Sequence, residues 1–343
     1  MSEMPRADRA RARESASPST PSTPSTTDCG RGATGPAIER VLVLADSEKP
    51  EVRGLLGALA PWLRTRVKTV AVEPDARAFY RRRAEAAGRA EEEPPGLLVV
   101  LGGDGAILGA VRAFGATPVP TIGINFGRVG FLASAEAGHW QEALSEALEG
   151  RTVVEPRLRL EAELKSSDGT LVRGTALNDV VMTRGAFQGL LEIALKIGDE
   201  WVTDYRADGL IVATASGSTA YSLASGGPIL APTMQDLVVT PICPQALSHR
   251  TIVLPSSGSL SLSITSASGI TTLVVDGQGF FPMRQGDVVR LRRHPETWPL
   301  LARPGEDFFR RLRERLGWRG SFEPDASPAR AGGPLEPDAG GTL

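Results

Sequence analysis

The chain has 343 residues, which is long enough for two domains with real hydrophobic cores. Its 38 basic and 40 acidic residues give a net charge of −2, so there is no overall positive field of the kind that holds nucleic acid or an anionic membrane surface. The two cysteines and three histidines are widely separated, which disfavours a disulfide framework, a Cys/His metal cluster and a His-centred catalytic triad.

Both ends of the chain have the composition of disordered tails. Residues 14–28 contain 12 Ser, Thr or Pro, and residues 321–343 contain almost no large apolar side chains. Such segments bury too little apolar area to offset the entropy lost on ordering, so we predict tails at 1–36 and 321–343. No apolar stretch approaches the roughly 20 residues of a membrane span, and no secretory signal is recognisable. We expect a cytoplasmic protein with no membrane or nucleic-acid partner.

Residues 37–150 alternate apolar runs with segments of helical spacing. Strands separated by helices imply right-handed crossovers, so we predict an α/β domain with a doubly wound, mostly parallel sheet. The predicted strands are residues 41–45, 67–72, 97–101 and 121–124, and the predicted helices are residues 50–63, 76–90, 106–114 and 136–148.

Residues 151–296 show the period-two alternation of β-strands, which predicts an antiparallel, sandwich-like all-β domain. The segments Ser167-Asp168-Gly169 and Gly198-Asp199 fit hairpin turns. The predicted strands are residues 159–165, 171–183, 191–196, 201–205, 210–212, 259–265 and 271–276.

A last ordered segment is predicted at 297–320. It contains an amphipathic helix at 306–316, whose apolar face consists of Phe308, Phe309, Leu312 and Leu316. We expect this helix to pack on the first domain.

A glycine-rich turn, GGDG at residues 102–105, directly follows the third predicted strand. Glycines let backbone amides approach an anion, and a helix N-terminus adds favourable partial charge, so Gly102, Gly103 and Gly105 form a candidate phosphate-donor loop. A carboxylate there, Asp104, indicates phosphoryl transfer, in which it accepts a proton or meets a metal ion. A plain Gly/Asp turn is the alternative.

Small and hydroxyl residues are densest in YRADGLIVATASGSTAYSLASGGP, residues 205–228. Its hydroxyls and amides precede a predicted helix from Ala220, which suits a diphosphate or a ribose, and a plain capping box is the alternative. Asn178 and Asp179 interrupt an apolar stretch where buried polar groups need partners. Ligand hydroxyls or an adenine edge would supply those partners, and a bulge or turn is the competing explanation.

These motifs together resemble one family. GGDG, GINFGRVGFL, ALNDVV, DGLIVATASGSTAYSLASGGPI, ICPQALSHRTIVLP and VVDGQ occur in the order and spacing that is similar to NAD kinase, which makes NADP with ATP or, in some members, polyphosphate. The resemblance covers about residues 40–318. GGDG is shared with lipid kinases and phosphofructokinases, whereas ALNDVV and GSTAYSL are far more specific.

The resemblance implies a role for individual residues. Asp104 matches the family's proton acceptor, and the sequence departs from the usual pattern at Ala106, Asp179, Ala215 and Gly189. The matched NAD-binding residues are Asp104, Gly105, Asn178, Asp179, Arg206, Asp208, Thr219, Ala220, Tyr221, Ser222, Leu223, Ala224 and Gln278.

The implied reaction is transfer of the γ-phosphoryl group of ATP, or a polyphosphate phosphoryl group, to the 2′-hydroxyl of the adenosine ribose of NAD. NAD is expected between the two domains, and a divalent cation, Mg²⁺, is expected to arrive with ATP, with no protein ligands assigned to it. The family also implies a homo-oligomer, a dimer or tetramer. Two alternatives stay open: a diacylglycerol- or sphingosine-type lipid kinase, and a non-catalytic NAD(P)-binding sensor.

Overall fold

The computed structural model describes residues 38–85, 94–115, 117–127, 130–185, 189–267, 269, 271–305 and 307–318. The two predicted tails and the last residues of the helix predicted at 76–90 lie outside this part of the chain.

The first half of the chain alternates strands and helices, as the pattern of apolar runs predicts. In chain order these elements are β1 (Arg40–Ala45), α1 (Pro50–Arg64), β2 (Thr69–Glu73), α2 (Ala76–Glu85), β3 (Leu97–Leu101), α3 (Asp104–Phe114), β4 (Thr121–Asn125), β5 (Ala135–Glu136), α4 (Trp140–Leu148) and β6 (Val153–Arg157).

The second half consists mainly of strands. They are β7 (Leu160–Lys165), β8 (Leu171–Ala176), β9 (Asp179–Thr183), β10 (Leu191–Ile197), β11 (Glu200–Ala207), β12 (Gly209–Thr214), β13 (Asp236–Ile242), β14 (Ile252–Pro255), β15 (Leu260–Ser266), β16 (Thr271–Val275), β17 (Gly279–Met283), β18 (Val288–Arg293) and β19 (Trp298–Ala302). The two helices are α5 (Tyr221–Ala224) and α6 (Phe308–Leu316).

The first sheet has the strand order β2-β1-β3-β4-β19-β6, with β5 paired to β4. Strands β1 to β4 are parallel to one another. Helices α1 and α4 pack on one face of the sheet, and α2 and α3 pack on the other. The expectation of a doubly wound, mostly parallel sheet is therefore confirmed.

Three strands of this sheet, β5, β6 and β19, are absent from the predicted elements, and the last two correct the assignment of their segments. Residues 151–157 are predicted in the β domain, and the only element predicted at 297–320 is a helix. Instead β19 pairs in parallel with β4 and antiparallel with β6, so the chain returns to the first sheet. Fully buried Trp298 secures the return, because its indole nitrogen donates a hydrogen bond of 3.1 Å to the Thr121 hydroxyl.

The β-rich part is a sandwich of two six-stranded sheets, which confirms the predicted antiparallel architecture. Their strand orders are β11-β10-β15-β18-β7-β8 and β14-β13-β12-β9-β16-β17, and every pair in both sheets is antiparallel. The inner faces share one apolar core. The predicted hairpin turns connect β7 to β8 and β10 to β11, where Gly169 and Gly198 take positive φ angles of 90° and 59°.

The strand predicted at 171–183 is wrong as a single element. The chain forms β8 in one sheet and β9 in the other, and it crosses between them at Leu177 and Asn178. The outer face of the sheet that contains β9 and β12 is also partly covered, because Val181, Ile211 and Leu230 belong to a second apolar cluster there. This crossing places Asn178 at an edge where polar groups can meet a ligand.

Helix α6 begins after Asp307, whose carboxylate accepts a hydrogen bond of 3.0 Å from the Phe309 amide. Leu312 is buried as predicted, and the Phe308 ring lies 6.4 Å from that of Phe131. Phe309, predicted on the buried face, is 58% exposed, and Arg311 is buried instead. In the described part of the chain, no helix combines the length and apolar character needed to cross a membrane.

Candidate active site

Asp104 is the first residue of α3, which starts two residues earlier than the sequence predicts. Its carboxylate accepts three hydrogen bonds from the consecutive amides that follow β4. Phe131 donates to Oδ2 at 2.8 Å, and Leu132 and Ala133 donate to Oδ1 at 3.1 and 3.2 Å. Strands β3 and β4 are neighbours, so the turn after β3 lies beside the loop after β4. The backbone thus fixes the orientation of this carboxylate.

These contacts leave Asp104 able to accept one more hydrogen bond. A carboxylate has about four acceptor directions, three of which the amides use. The remaining one is on Oδ2. The N-terminal end of α3 adds a favourable electrostatic field for the negative charge. Asp104 is half-buried and adjacent to the exposed Gly105.

The three glycines of the GGDG turn differ in what they offer. The Gly102 amide donates to the Ile124 carbonyl at 2.9 Å, which leaves it unable to bind a phosphate. Gly103 is the residue before the helix and has extended backbone geometry. The Gly105 carbonyl accepts a hydrogen bond of 2.7 Å from the Gln278 side chain, so two predicted site residues are in direct contact.

A cavity of about 410 Å³ opens on the outer face of the second sandwich sheet, beside this turn. Its size suits part of a nucleotide. It is lined by Asn178, Asp179, Val181, Thr183, Ala220, Tyr221, Val274, Asp276, Gly277 and Phe280. Polar groups converge at the start of β9, and the aromatic side chains of Tyr221 and Phe280 are exposed. A floor of polar groups with exposed rings is suited to a molecule that has both hydroxyls and a flat ring.

Asp276 repeats the arrangement of Asp104. Its carboxylate accepts hydrogen bonds from the amides of Leu177, Asn178 and Asp179 at 2.8, 2.8 and 3.1 Å. Its own amide donates to the Asp179 carbonyl at 2.9 Å, and its φ angle is 50°. Because β16 pairs with β9, the residue after β16 lies beside the residues that precede β9. Asp276 therefore holds the chain where it crosses between the sheets.

The second carboxylate in the cavity, that of Asp179, is buried close to the first. Burial and, more weakly, the neighbouring Asp276 together raise the pKa of Asp179 to about 7. Burial also raises the pKa of Asp276 to about 6, while the three amides and the Arg112 guanidinium oppose that rise. Near neutral pH, Asp179 is thus the member of the pair that takes up a proton.

Asn178 has an unsatisfied group within the cavity wall. Its side-chain oxygen is buried and has no hydrogen-bond partner in the described part of the chain. Its backbone carbonyl accepts from the Thr214 amide at 2.8 Å. Gly217 packs so closely on that carbonyl that a side chain would overlap it. The free amide oxygen requires a donor, which a bound ligand would provide.

The residues matched to NAD binding fall into three groups. Asn178, Asp179, Ala220 and Tyr221 line the cavity, and Gln278 joins it to Gly105. Ser222 lies in the interior, where its hydroxyl is 2.9 Å from that of Thr240. Thr219, Leu223 and Ala224 lie outside the cavity lining. The hydroxyl of Thr219 donates a hydrogen bond of 3.1 Å to the Ser216 carbonyl.

Arg206 and Asp208 also lie outside the cavity lining. Arg206 forms an ion pair with Glu192 at 2.9 Å on neighbouring strands. Asp208 forms one with Arg184 at 2.7 Å, and its carbonyl is 3.5 Å from the Thr183 hydroxyl. Asp208 therefore adjoins the cavity through Thr183, whereas Arg206 is engaged elsewhere. The helix predicted from Ala220 is a single turn, α5, after a short 3₁₀ turn at Gly217–Thr219.

Sequence reasoning missed several lining residues. They are Val181, Thr183, Val274, Asp276, Gly277 and Phe280. A signal existed in VVDGQ, because an Asp-Gly pair directly after a β-strand favours a turn with positive φ. The exposed ring of Phe280 gives no such signal. Within the residues that the structure covers, there is no group of three or more His, Cys, Asp or Glu side chains close enough to hold a metal ion.

A GGDG strand-to-helix turn beside a cavity that suits part of a nucleotide, on the face of a β-sandwich, is typical of a phosphotransferase. Family models agree: ATP-NAD kinase N-terminal domain matches residues 56–152, and ATP-NAD kinase C-terminal domain matches residues 177–302. The NAD kinase of Geobacter metallireducens is 33% identical over 284 residues, covering 82% of this chain and 99% of the relative. That of Symbiobacterium thermophilum is 41% identical over 220 residues, covering 64% and 78%. The chain belongs to the NAD kinase family.

Solved structures agree with this assignment. A yeast NADH kinase in complex with NADH superposes with a TM-score of 0.72 at 26% identity, covering 84% of this chain and 90% of that one. An NAD kinase from Archaeoglobus fulgidus in complex with ATP gives a TM-score of 0.62 at 24% identity, covering 82% of this chain and 100% of that one, and it supports the fold. The comparisons do not favour a lipid kinase or a non-catalytic sensor.

The fit between Gly130 and Asp104 yields a first prediction. A Cβ atom at Gly130 would overlap the Asp104 carboxylate, whereas one at Gly127 meets nothing within 4 Å. Gly130→Ala should displace Asp104 and lower the phosphoryl-transfer rate by about 10²-fold or more, the usual contribution of a general base. Gly127→Ala should leave the rate unchanged. Equal rates for the two variants would contradict the assigned position of Asp104.

The pKa of Asp179 yields a second prediction. Since this carboxyl binds its proton more tightly in the folded chain, its contribution to stability is present below its unfolded pKa and is lost as pH rises through about 7. Asp179→Asn should therefore become more stable relative to wild type by about 2–3 kcal/mol between pH 5 and pH 8. Urea denaturation across this range measures it, with Asp199→Asn at an exposed hairpin as the control. Parallel stability profiles for wild type and Asp179→Asn would rule out the raised pKa.

Proposed function

We propose that the chain transfers the γ-phosphoryl group of ATP to the 2′-hydroxyl of the adenosine ribose of NAD, with Asp104 receiving the proton of that hydroxyl. The observation that carries the assignment of residues is the contact between Gln278 and Gly105. It joins the start of α3, where Asp104 is fixed, to the turn that contributes Gly277 to the cavity wall. A hydroxyl of a molecule bound in the cavity would then lie within reach of Asp104.

NAD would occupy the cavity with its hydroxyls and adenine edge on the polar floor. The free side-chain oxygen of Asn178 would accept from a ligand donor, and Asp179 would accept from ribose hydroxyls. The exposed Tyr221 ring and Ala220 would cover a flat ring. Leu223, Ala224 and Thr219 would shape the far end of this wall. Asp208 would act through Thr183, which lines the cavity.

The phosphoryl donor would approach from the GGDG side. Gly103 and Gly105 would present backbone amides at the N-terminal end of α3, which favours an anion. Gly102 would contribute only to the shape of the turn, because its amide already donates to the Ile124 carbonyl in the neighbouring strand. We propose Mg²⁺ as the cation of the ATP complex. Its ligands would be mainly phosphate oxygens and water, as is usual for Mg²⁺, because the described residues hold no cluster of ligating side chains.

The contribution of Asp104 would be orientation together with proton acceptance. Phosphoryl transfer usually has a loose transition state, so positioning and charge neutralisation matter more than full deprotonation of the attacking hydroxyl. A carboxylate held by three amides loses little entropy when it accepts a hydrogen bond from that hydroxyl. The one acceptor direction left on Oδ2 would receive it.

The test is a coupled assay in which NADP is read by an NADP-specific dehydrogenase. Wild type with NAD, ATP and Mg²⁺ should form NADP, and Asp104→Asn should lose about 10²- to 10⁴-fold in turnover while still binding NAD. Asp287→Asn is the matched control. It removes another aspartate that accepts backbone hydrogen bonds, at 2.8 Å from both Ser167 and Arg284, away from the cavity.

Two outcomes would contradict the proposal. Undiminished turnover in Asp104→Asn would show that Asp104 is not the proton acceptor. If neither ATP nor polyphosphate supported NADP formation, the proposed reaction would be refuted. Diacylglycerol and sphingosine serve as acceptor controls, and their phosphorylation in place of NAD would identify a lipid kinase.

We also propose a cytoplasmic homo-oligomer. Each of the four edge strands of the sandwich exposes one large apolar side chain: Leu171, Trp201, Val253 and Phe280. Exposed edge strands with apolar side chains favour association with another chain. The exposed free thiol of Cys243 suits a reducing compartment.

A further inference from the structure

We call residues 131–133, whose amides bind Asp104, the Asp104 loop. A group of three charged residues, of which the two arginines are buried and the glutamate is half-buried, lies beside this loop and takes no part in the chemistry proposed above. It consists of Arg157 at the end of β6, Glu155 on the same strand and Arg311 on α6. The side chains of the two arginines are 2% and 6% exposed. We call these three residues the arginine cluster.

The arginine cluster forms hydrogen bonds with the Asp104 loop and with the turn at Ser216. Glu155 accepts from Arg157 through one oxygen and from Arg311 at 3.5 Å through the other. Arg311 also donates to the carbonyl of Phe131 at 3.4 Å, and the amide of that same residue donates to Asp104. Arg157 donates to the Ser216 hydroxyl at 3.4 Å. The cluster thus connects the Asp104 loop to the turn that packs against Asn178.

The charge of the cluster is not balanced within it. Two guanidinium groups face one carboxylate, and the Nε atoms of both arginines are buried without hydrogen-bond partners in the described residues. Burial lowers the pKa of Arg157, while Glu155 and, more weakly, Asp104 raise it. The excess positive charge of the cluster is therefore adjacent to the negative charge of Asp104.

Such a cluster is poorly explained by stability alone. Removing two charges from water costs several kcal/mol per ion, and well-packed apolar residues are often as stable or more stable in such places. This desolvation cost has a physical reason where a charged network fixes the relative positions of segments that form a catalytic site. Here those segments come from four distant parts of the sequence: residues 104, 131–133, 216 and 311.

We propose that Arg157 is a positioning residue, which with Glu155 and Arg311 holds the Asp104 loop and the Ser216 turn at the separation that phosphoryl transfer requires. This inference rests on the proposed function. Through Arg311, it also gives α6 a role in the site, although that helix lines no part of the cavity. Small misplacements of a reacting group cost large factors in rate, so the effect should appear in kcat.

The test compares Arg157→Met with Arg159→Met. Arg159 is a matched control because it is equally buried and only two residues away. In the described residues it donates to the carbonyls of Gly115 and Glu296 and forms no hydrogen bond or ion pair with the cluster. For each variant, kcat, KM for NAD, KM for ATP and the melting temperature are measured. We expect Arg157→Met to lose about ten- to hundredfold in kcat, with KM for NAD within about threefold of wild type. Arg159→Met should lose stability and keep kcat.

Two further variants distinguish a positioning role of Arg157 from a role in folding. Arg157→Lys keeps the charge and should recover part of kcat. If Arg157→Met does not fold, Arg311→Met tests the same link, since it removes the hydrogen bond to the Phe131 carbonyl from a surface helix. Wild-type kcat in Arg157→Met or Arg311→Met, or an equal loss of kcat in Arg159→Met, would overturn the inference. Absence of NADP formation by wild type would instead refute the proposed function.

Discussion

The site depends on two aspartates, each of which accepts hydrogen bonds from three consecutive backbone amides. Asp104 binds the amides of residues 131–133, and Asp276 binds those of residues 177–179. These amides lie where the chain leaves or enters a strand, so no neighbouring strand satisfies them, and burying them unpaired would be costly. One carboxylate at each place satisfies the amides and fixes the local chain direction. The loop of one half and the strand crossing of the other are thereby held in place by side-chain carboxylates.

This use of carboxylates also explains the electrostatics of the cavity. The three amide donors favour the ionised form of Asp276, and its charge acts on Asp179, which burial already disfavours as an anion. The cavity wall thus contains the carboxyl group of Asp179 beside the side-chain oxygen of Asn178, which lacks a hydrogen-bond donor in the described residues. A donor group of a ligand would satisfy that oxygen, so part of the binding free energy would come from relieving a cost already present in the fold.

Sequence reasoning succeeded where the pattern is local. The strand at Leu97–Leu101, the turn that follows it and the doubly wound sheet follow from apolar runs and helical spacing, and the hairpins at Gly169 and Gly198 follow from turn chemistry. It failed where contacts join distant residues. Strand β19 returns to the first sheet about 140 residues after the chain leaves it through β6, and residues 171–183 split because Asp276 holds the crossing. Likewise nothing local to Arg157 indicates that it is buried beside Asp104, since an arginine on a strand end is ordinarily exposed.

Amide hydrogen exchange of the ligand-free protein tests most directly whether the two carboxylates hold the site. The amides of residues 131–133 and 177–179 should exchange as slowly as those of the buried strand β12, because each is closed off by a carboxylate. In Asp104→Ala, protection should be lost at residues 131–133 and kept at 177–179. Wild-type amides at 131–133 that exchange as fast as that of the exposed Gly127, or that keep their protection in Asp104→Ala, would contradict this account.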